Sequence, residues 1–367
     1  VTRAAVLREI GADLEILDVD VLAPLSHEIT VQLAASGVCH SDLTTQNGTL
    51  ARLPCPMVLG HEGAGVVTDV GPDVTKFVPG DHVILASAPK CGHCFWCVNG
   101  QPTLCEVIQL VGTGGLLDGT SRFRLEGAPL LQLCFTGTFT ETTVVPDIAA
   151  TLIPSEMPLA PAALLGCGVV TGYGAATRTA SITPDASVVV VGCGGVGLSA
   201  VQGAKAAGAG QIIAVDISEE KLELARRFGA TKVVISNGGE SIRKVRALTG
   251  HRGADVAIDA TGIMSVIAEM IAMTRRGGEC VFVGMPGFGE IFPLDLQKLL
   301  ISSQRTFKGC VYGAIDIDID VPMMVQDYLD GKLLLDELIG HRIALDDVND
   351  ALRSLSTGTL ARSVIEF

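Results

Sequence analysis

From about residue 170 onward, short β-branched runs alternate with longer stretches whose apolar residues recur three or four positions apart. The runs at 187–191, 211–215, 232–235, 255–258 and 279–283 predict strands, with a sixth candidate at 305–308. The stretches at 196–207, 219–228, 241–248 and 263–274 predict helices. This alternation implies right-handed βαβ crossovers and a parallel sheet. Before about residue 160 the texture differs. Short alternating segments at 29–35, 63–70 and 82–85, broken by Gly and Pro, predict a β-rich domain. A helix at 321–329 and a strand at 363–367 close the chain. That tail is too short for a core of its own and is expected to return to the first domain. The expected fold class is α/β: a β-rich domain of residues 1–168 and 312–367, interrupted by a doubly wound parallel-sheet domain of residues 169–311.

Composition narrows the function. A chain of 367 residues exceeds the ~250–300 at which a single core stops growing, in line with two domains. A formal net charge of −14 argues against nucleic-acid binding, which needs a basic surface. Mean hydropathy is high, at +0.45. Yet the longest apolar runs, near 187–191 and 256–260, fall far short of the ~20 residues of a membrane span. No membrane association is expected. The first seventeen residues carry charges where a secretion signal has an apolar run. A cytoplasmic protein is therefore expected, and in a reducing compartment eleven cysteines point to metal ligation more than to disulfides.

Gly192-Cys193-Gly194-Gly195-Val196-Gly197 forms a G-x-G-x-x-G between a predicted strand and a predicted helix. In that context it reads as a dinucleotide fingerprint. Gly192 permits the tight turn, Gly194 lets backbone approach a pyrophosphate, and Gly197 lets helix pack closely on strand. Gly195 and Val196 open the helix, whose free N–H groups face the phosphates. The next strand ends at Asp216, placed to accept from the ribose hydroxyls and to repel a 2′-phosphate. NAD is thus expected over NADP.

Cys91, Cys94, Cys97 and Cys105 are more specific still. Four thiolates on one short lobe, about 89–106, can close a tetrahedral shell around zinc and leave no open position. Such a site is structural.

Further along, Gly60-His61-Glu62-x2-Gly65-x5-Gly71 resembles the zinc signature of the medium-chain alcohol dehydrogenases. The cysteine lobe, the segment from Gly166-Cys167-Gly168 to Gly174 and the nucleotide fingerprint follow in that family's order. The resemblance covers essentially the whole chain. It is closest to the branch holding liver-type dimers and glutathione-dependent formaldehyde dehydrogenases, with a long loop over 117–123. It implies a GroES-like catalytic domain, a Rossmann NAD-binding domain, a homodimer, two zinc ions per subunit and a small alcohol or aldehyde substrate. Cys39, His61 and Cys167 would be the ligands of the catalytic zinc, a set that spacing alone does not reveal.

The resemblance also implies further roles. The substrate oxygen would sit at the zinc's open position while hydride leaves for the nicotinamide. Ser41 would take the alcohol proton, and Asp42 would fix the tautomer of His61. Glu62 would lie near the metal, either replacing water there or acting as a structural carboxylate beneath it. His40 and Arg362 match positions that face the pyrophosphate, Thr171 one that packs on nicotinamide, and Lys221 one that reaches the adenosine ribose. Val283, Cys310 and Tyr312 would offer main-chain groups to the carboxamide. Lys221 and Arg362, taken alone, also fit solvated surface charges.

Three positions depart from the pattern. Thr44 stands where liver-type enzymes end their proton relay at a histidine, and threonine is no base near neutrality. Ser87 replaces a large aromatic beside the zinc, which predicts a wider pocket. Gln109 replaces an arginine that binds the glutathione carboxylate. The leading expectation is oxidation of bulky or long-chain primary alcohols. A dehydrogenase of thiol–formaldehyde adducts is the first alternative, with Arg122 and Arg124 as its candidate basic residues. An inactive zinc- and NAD-binding structural protein is the second, and an enzyme with permanently bound NAD a third.

Overall fold

The computed structural model describes residues 1–49, 53–356 and 362–367. The chain forms two compact units, Val1–Cys167 with Asp316–Phe367, and Gly168–Ile315. The return crossing thus lies at Ile315/Asp316, four residues beyond the expected 311/312. The Tyr312–Ala314 turn belongs to the second unit because Gly313 packs against Gly174 and the Val170 carbonyl.

In the second unit a six-stranded parallel sheet runs in the order Lys232–Ile235, Gln211–Asp216, Ser187–Val191, Ala254–Asp259, Thr274–Phe282, Thr306–Gly309. The central strand Ser187–Val191 is four consecutive valines after a serine, as suits a parallel strand buried on both faces. Val189, Val191, Ile213 and Val215 pack with Met270 and Ile271 into one core. Each such buried aliphatic contributes roughly 1.5–3 kcal/mol. The helix Glu219–Arg227 is sharply bounded. Ser218 caps its N-terminus, acids fill its first turn, and arginines its last. The fifth strand starts at Thr274, five residues before the expected 279, where Arg275 and the following glycines hide its start from pattern reading.

The first unit holds two sheets. One contains Glu62–Val70 paired with Glu28–Gly37, flanked by His82–Leu85 and Ala150–Ile153. The tail returns to it as expected: Arg362–Glu366 lies antiparallel to Glu28–Gly37, with Val364 opposite Gly37. That insertion brings Arg362 beside the start of the zinc signature. The other sheet is a closed barrel. The loop expected over 117–123 leads at its last residue into a barrel hairpin that pattern reading did not predict, Phe123–Leu125 with Ala128–Gln132. Phe123 and Leu130 are buried in the barrel, an inward pattern too short to stand out from the surrounding glycines. Among the described residues no single helix is long and apolar enough to cross a membrane.

Candidate active site and metal centres

Three segments distant in sequence meet in the first unit. Cys39 ends the turn after Glu28–Gly37 and serves as N-cap of the helix His40–Gln46. His61 precedes the strand Glu62–Val70, and Cys167 follows the short turn Leu164–Gly166. The ligand atoms of Cys39, His61, Glu62 and Cys167 all lie within 4.8 Å of one another.

Asp42 organises two of them. Its Oδ2 accepts from the Cys39 amide at 3.0 Å, while Oδ1 accepts from the Gly60 amide at 3.2 Å and faces His61 Nδ1 at 2.8 Å. Asp42 is fully buried and His61 nearly so. With Nδ1 so engaged, Nε2 points at the two sulfurs, and it is buried with no hydrogen-bond partner. An orphaned, buried imidazole nitrogen beside two thiols is the donor set that zinc satisfies. Close packing fixes the segments. A Cβ on Gly60, whose φ is +86°, would meet Phe139 at 2.5 Å, and one on Gly166 would meet the Leu85 carbonyl at 2.7 Å.

Without a metal the electrostatics divide the ligands: Cys39 favours the thiolate, while Cys167 and His61 hold their protons. The hydrogen bond between the Cys39 and Cys167 thiols holds Cys39 well below the usual thiol range and pushes Cys167 well above it. Burial opposes charge on His61, but Asp42 and Cys167 outweigh it and raise the imidazole. Glu62 is pushed up to about 7 by burial, against the pull of Arg362. The Glu62 carboxylate accepts from Arg362 Nη2, and a Cβ on Gly37 would collide with the same carboxylate. Both readings of Glu62 therefore have support: it lies in the ligand cluster and holds a buried cation. Arg362 is not a solvated surface charge.

The proton-transfer candidates lie next door. Ser41 Oγ is 4.0 Å from Cys39 Sγ. The Thr44 hydroxyl donates to the carbonyls of His40 and Ser41, at 3.1 and 3.2 Å. Ser87 is buried, with its hydroxyl 3.4 Å from the Gly166 carbonyl. His40 is exposed at the start of its helix.

The lobe brings its four sulfurs equally close, all within 4.8 Å. Cys94 lies 3.6 Å from Cys97 and 3.8 Å from Cys105, and Cys91 lies 4.0 Å from Cys97. A tetrahedron with Zn–S bonds of about 2.3 Å has edges of about 3.8 Å. The amides of Cys91 and Cys94 point at sulfurs, each at 3.3 Å, as thiolates require. Backbone amides hold Cys94 down to about 6, whereas burial pushes Cys97 up to about 12.

In the second unit Gly192 takes φ +90° in the turn after Ser187–Val191. A Cβ on Gly197 would lie 1.7 Å from the Gly192 carbonyl, whereas one on Gly194 would meet nothing within 4 Å. The first glycine pair closes the turn on the helix Gly195–Ala206, and Gly194 leaves its amide face open to a phosphate. Asp216 ends its strand and has an unforeseen task. It accepts from the Cys193 amide at 2.7 Å and the Ser218 amide at 2.9 Å, so it also shapes the glycine loop. Lys221 lies in the first turn of Glu219–Arg227 and Thr171 on the helix Gly168–Gly174. The amides of Val283 and Cys310 already donate to Asp259 and Phe282, so their carbonyls are what they offer a ligand. Tyr312 has φ +50° in its turn.

Sequence reasoning missed Gly37 and Gly166 as spacers, and missed the amide bonds of Asp42 and Asp216. The spacing of Asp42, three residues after Cys39, was the available signal for a cap.

Known proteins share these features. Residues 26–155 match the alcohol dehydrogenase GroES-like domain, and residues 195–328 match the zinc-binding dehydrogenase domain. An S-(hydroxymethyl)glutathione dehydrogenase of Komagataella pastoris is 39% identical over 99% of this chain and 97% of its own. The class-3 alcohol dehydrogenase of Drosophila melanogaster is 38% identical over 100% and 97%. A zinc-binding-domain alcohol dehydrogenase protein from Burkholderia ambifaria superposes with a TM-score of 0.94 at 34% identity, covering 100% of this chain and 98% of that one. The benzyl alcohol dehydrogenase of Acinetobacter calcoaceticus gives 0.93 at 31%, covering 100% and 99%. With this agreement of sequence, fold and metal-ligand geometry, the chain belongs to the zinc-containing, NAD-dependent medium-chain alcohol dehydrogenase family.

Proposed function

We propose that this enzyme oxidises bulky, uncharged primary alcohols to aldehydes with NAD, and runs the reverse reaction. The observation that carries the substrate choice is the state of the two arginines available to an anionic substrate. Arg122 is buried and paired with Glu28 at 2.6 Å and Asp118 at 2.7 Å. Arg124 donates to the Ser121 and Phe123 carbonyls at 2.7 and 2.8 Å. Both cations hold the barrel hairpin: Arg122 is neutralised by carboxylates and is not left to grip a thiol peptide, while Arg124 is held by one nitrogen and keeps its charge. Gln109 adds no charge.

When bound at these residues, zinc supplies a Lewis acid and NAD a hydride acceptor. Cys39, His61 and Cys167 hold the catalytic metal, and Asp42 keeps the Nε2 lone pair of His61 turned toward it. Ser41 would accept the proton of the substrate hydroxyl while giving up its own to the relay that the family resemblance runs through the nicotinamide ribose. Thr44 does not extend that relay, because its hydroxyl donates to its own helix. Glu62 is paired with the buried Arg362, so of the two pyrophosphate candidates the exposed His40 is the one left without an ion pair among the described residues. Thr171, Lys221 and the carbonyls of Val283 and Cys310 hold the remaining parts of the cofactor, with Tyr312. Cys91, Cys94, Cys97 and Cys105 hold the structural zinc. The reading includes a homodimer in a reducing cytoplasm, supported by the family branch and by eleven unpaired cysteines.

A second reading, oxidation of a thiol–formaldehyde adduct, is favoured by the names of the 38–39% identical relatives. A panel of alcohols separates the two. NADH formation should be fast with benzyl and long-chain alcohols, slow with ethanol, and no faster with glutathione plus formaldehyde than with formaldehyde alone. Strong stimulation by the thiol would overturn the first reading in favour of the second.

Asp216→Ala should raise the KM for NAD about 10- to 100-fold, because two charge-assisted bonds to the ribose are lost. The preference over NADP should shrink at the same time. Since Asp216 also holds the Cys193 amide, the KM for NADP should not fall below the wild-type value for NAD. A native enzyme that uses both coenzymes equally would remove Asp216 from this role.

A further inference from the structure

The acids of this chain outnumber its Lys and Arg residues 40 to 26, so its cations are normally within reach of a carboxylate. Several cations of the second unit nonetheless have no ion pair among the described residues, Lys205, Lys232, Arg243 and Arg252 included, and three of them gather in one place. A shallow, open cavity of about 510 Å³ is lined by Arg276, Lys298 and Arg305, together with Ser302, Ser303 and Asp295. Its size falls in the range of ordinary small-ligand sites, ~300–1,000 Å³. Among the described residues, none of the three cations is ion-paired to a carboxylate. Arg276 and Arg305 donate only to backbone carbonyls, those of Ser302 and Thr274. A fourth cation, Arg246, stands behind them and donates to the Ala272 carbonyl. Burial first, and the Arg246 charge after it, hold Arg305 below the ordinary guanidinium range against an opposing pull from Cys280. Asp295 is the one carboxylate on the wall, and its Oδ1 is occupied by the Lys298 amide.

These bonds fix two guanidinium groups and leave further N–H donors unused. A guanidinium carries five donors in a rigid fork that matches phosphate oxygens. With three cations and one carboxylate the wall is net positive, and such a wall concentrates anions more than scattered surface charge does. We propose that this cavity is a binding site for a compact, multiply charged phosphate-type anion, separate from the glycine-rich dinucleotide loop. The proposal is independent of which alcohol the enzyme oxidises.

The test is calorimetric titration of the zinc-loaded enzyme with inorganic pyrophosphate in saturating NADH, so that the dinucleotide site is already filled. One site per chain should appear. Arg276→Gln and Lys298→Gln, both at exposed positions, should each weaken it about tenfold, the loss expected for one charge-assisted bond. Neither substitution touches the catalytic machinery, so turnover and melting temperature should stay at wild-type values. A control with Arg8→Gln and Lys332→Gln removes two cations elsewhere and should leave binding intact. Comparing inorganic phosphate with glycerol 2-phosphate distinguishes a free phosphate from an ester. No binding under NADH saturation would overturn the proposal, as would equal weakening in the control variant.

Discussion

His61→Ala should leave one zinc per chain instead of two and should abolish NADH formation, while the folded protein survives. The two cysteines that remain cannot complete the open three-ligand shell, so the site loses the ion that polarises the substrate. The four-sulfur lobe keeps its own zinc, because none of its ligands or their amide donors involves His61. Elemental analysis and a melting curve, read beside turnover, separate loss of metal from loss of fold. Asp42→Asn offers a graded version. The carboxylate that orients His61 also takes the amides of Cys39 and Gly60. Its loss should weaken zinc binding or turnover about 10- to 100-fold, the usual effect of removing a partner of a ligating histidine. Conversely, Cys97→Ser should reduce zinc to one per chain through the lobe. A protein that keeps two zinc ions in both His61→Ala and Cys97→Ser would refute the assignment.

The parts of this molecule that were legible in sequence are those where local chemistry decides the outcome. Ser187–Val191 and Lys232–Ile235 are strands at the residues predicted, because β-branched runs bounded by turns have no competing state. The cysteine lobe was legible because four ligands within fifteen residues leave few alternatives. Cys39, His61 and Cys167 were a different case. They lie on separate segments, and only the pairing of Glu28–Gly37 with Glu62–Val70 brings the first two together, with Gly37 opposite Glu62. Nothing local announces that pairing, so family resemblance had to supply the set. Arg362 shows the same limit more sharply. It is three hundred residues from Glu62 in sequence, and its burial follows from a strand inserted at the far end of the chain. The barrel hairpin at 123–132 was hidden because its strands are three and five residues long.

Ser87→Phe should move substrate preference from large alcohols toward small ones. In the native enzyme the buried Ser87 side chain sits against the Gly166 carbonyl, one residue from Cys167, and is far smaller than the aromatic ring that the family resemblance puts at this position. A pocket widened by that difference would not be filled by ethanol. Each further CH₂ that fills it contributes about 0.8 kcal/mol, or close to fourfold in binding per carbon. A benzyl or octyl alcohol should therefore exceed ethanol in kcat/KM by several hundredfold, on the order of four such groups. A phenyl ring at 87 occupies the same volume, so it should cost large alcohols most of that advantage while changing ethanol little. The Gly166 contact is long and weak, and its loss should have little effect on stability. Thr44→His supplies an independent check at the other side of the site. The native hydroxyl is committed to the His40 and Ser41 carbonyls, whereas an imidazole there would offer a base with a pKa near 6.5. Alcohol oxidation should then rise most between about pH 6 and 8, where that imidazole becomes unprotonated and can accept the proton. If ethanol is the better native substrate and Ser87→Phe leaves the ranking unchanged, the wall of the pocket is formed by the segment 116–131 instead.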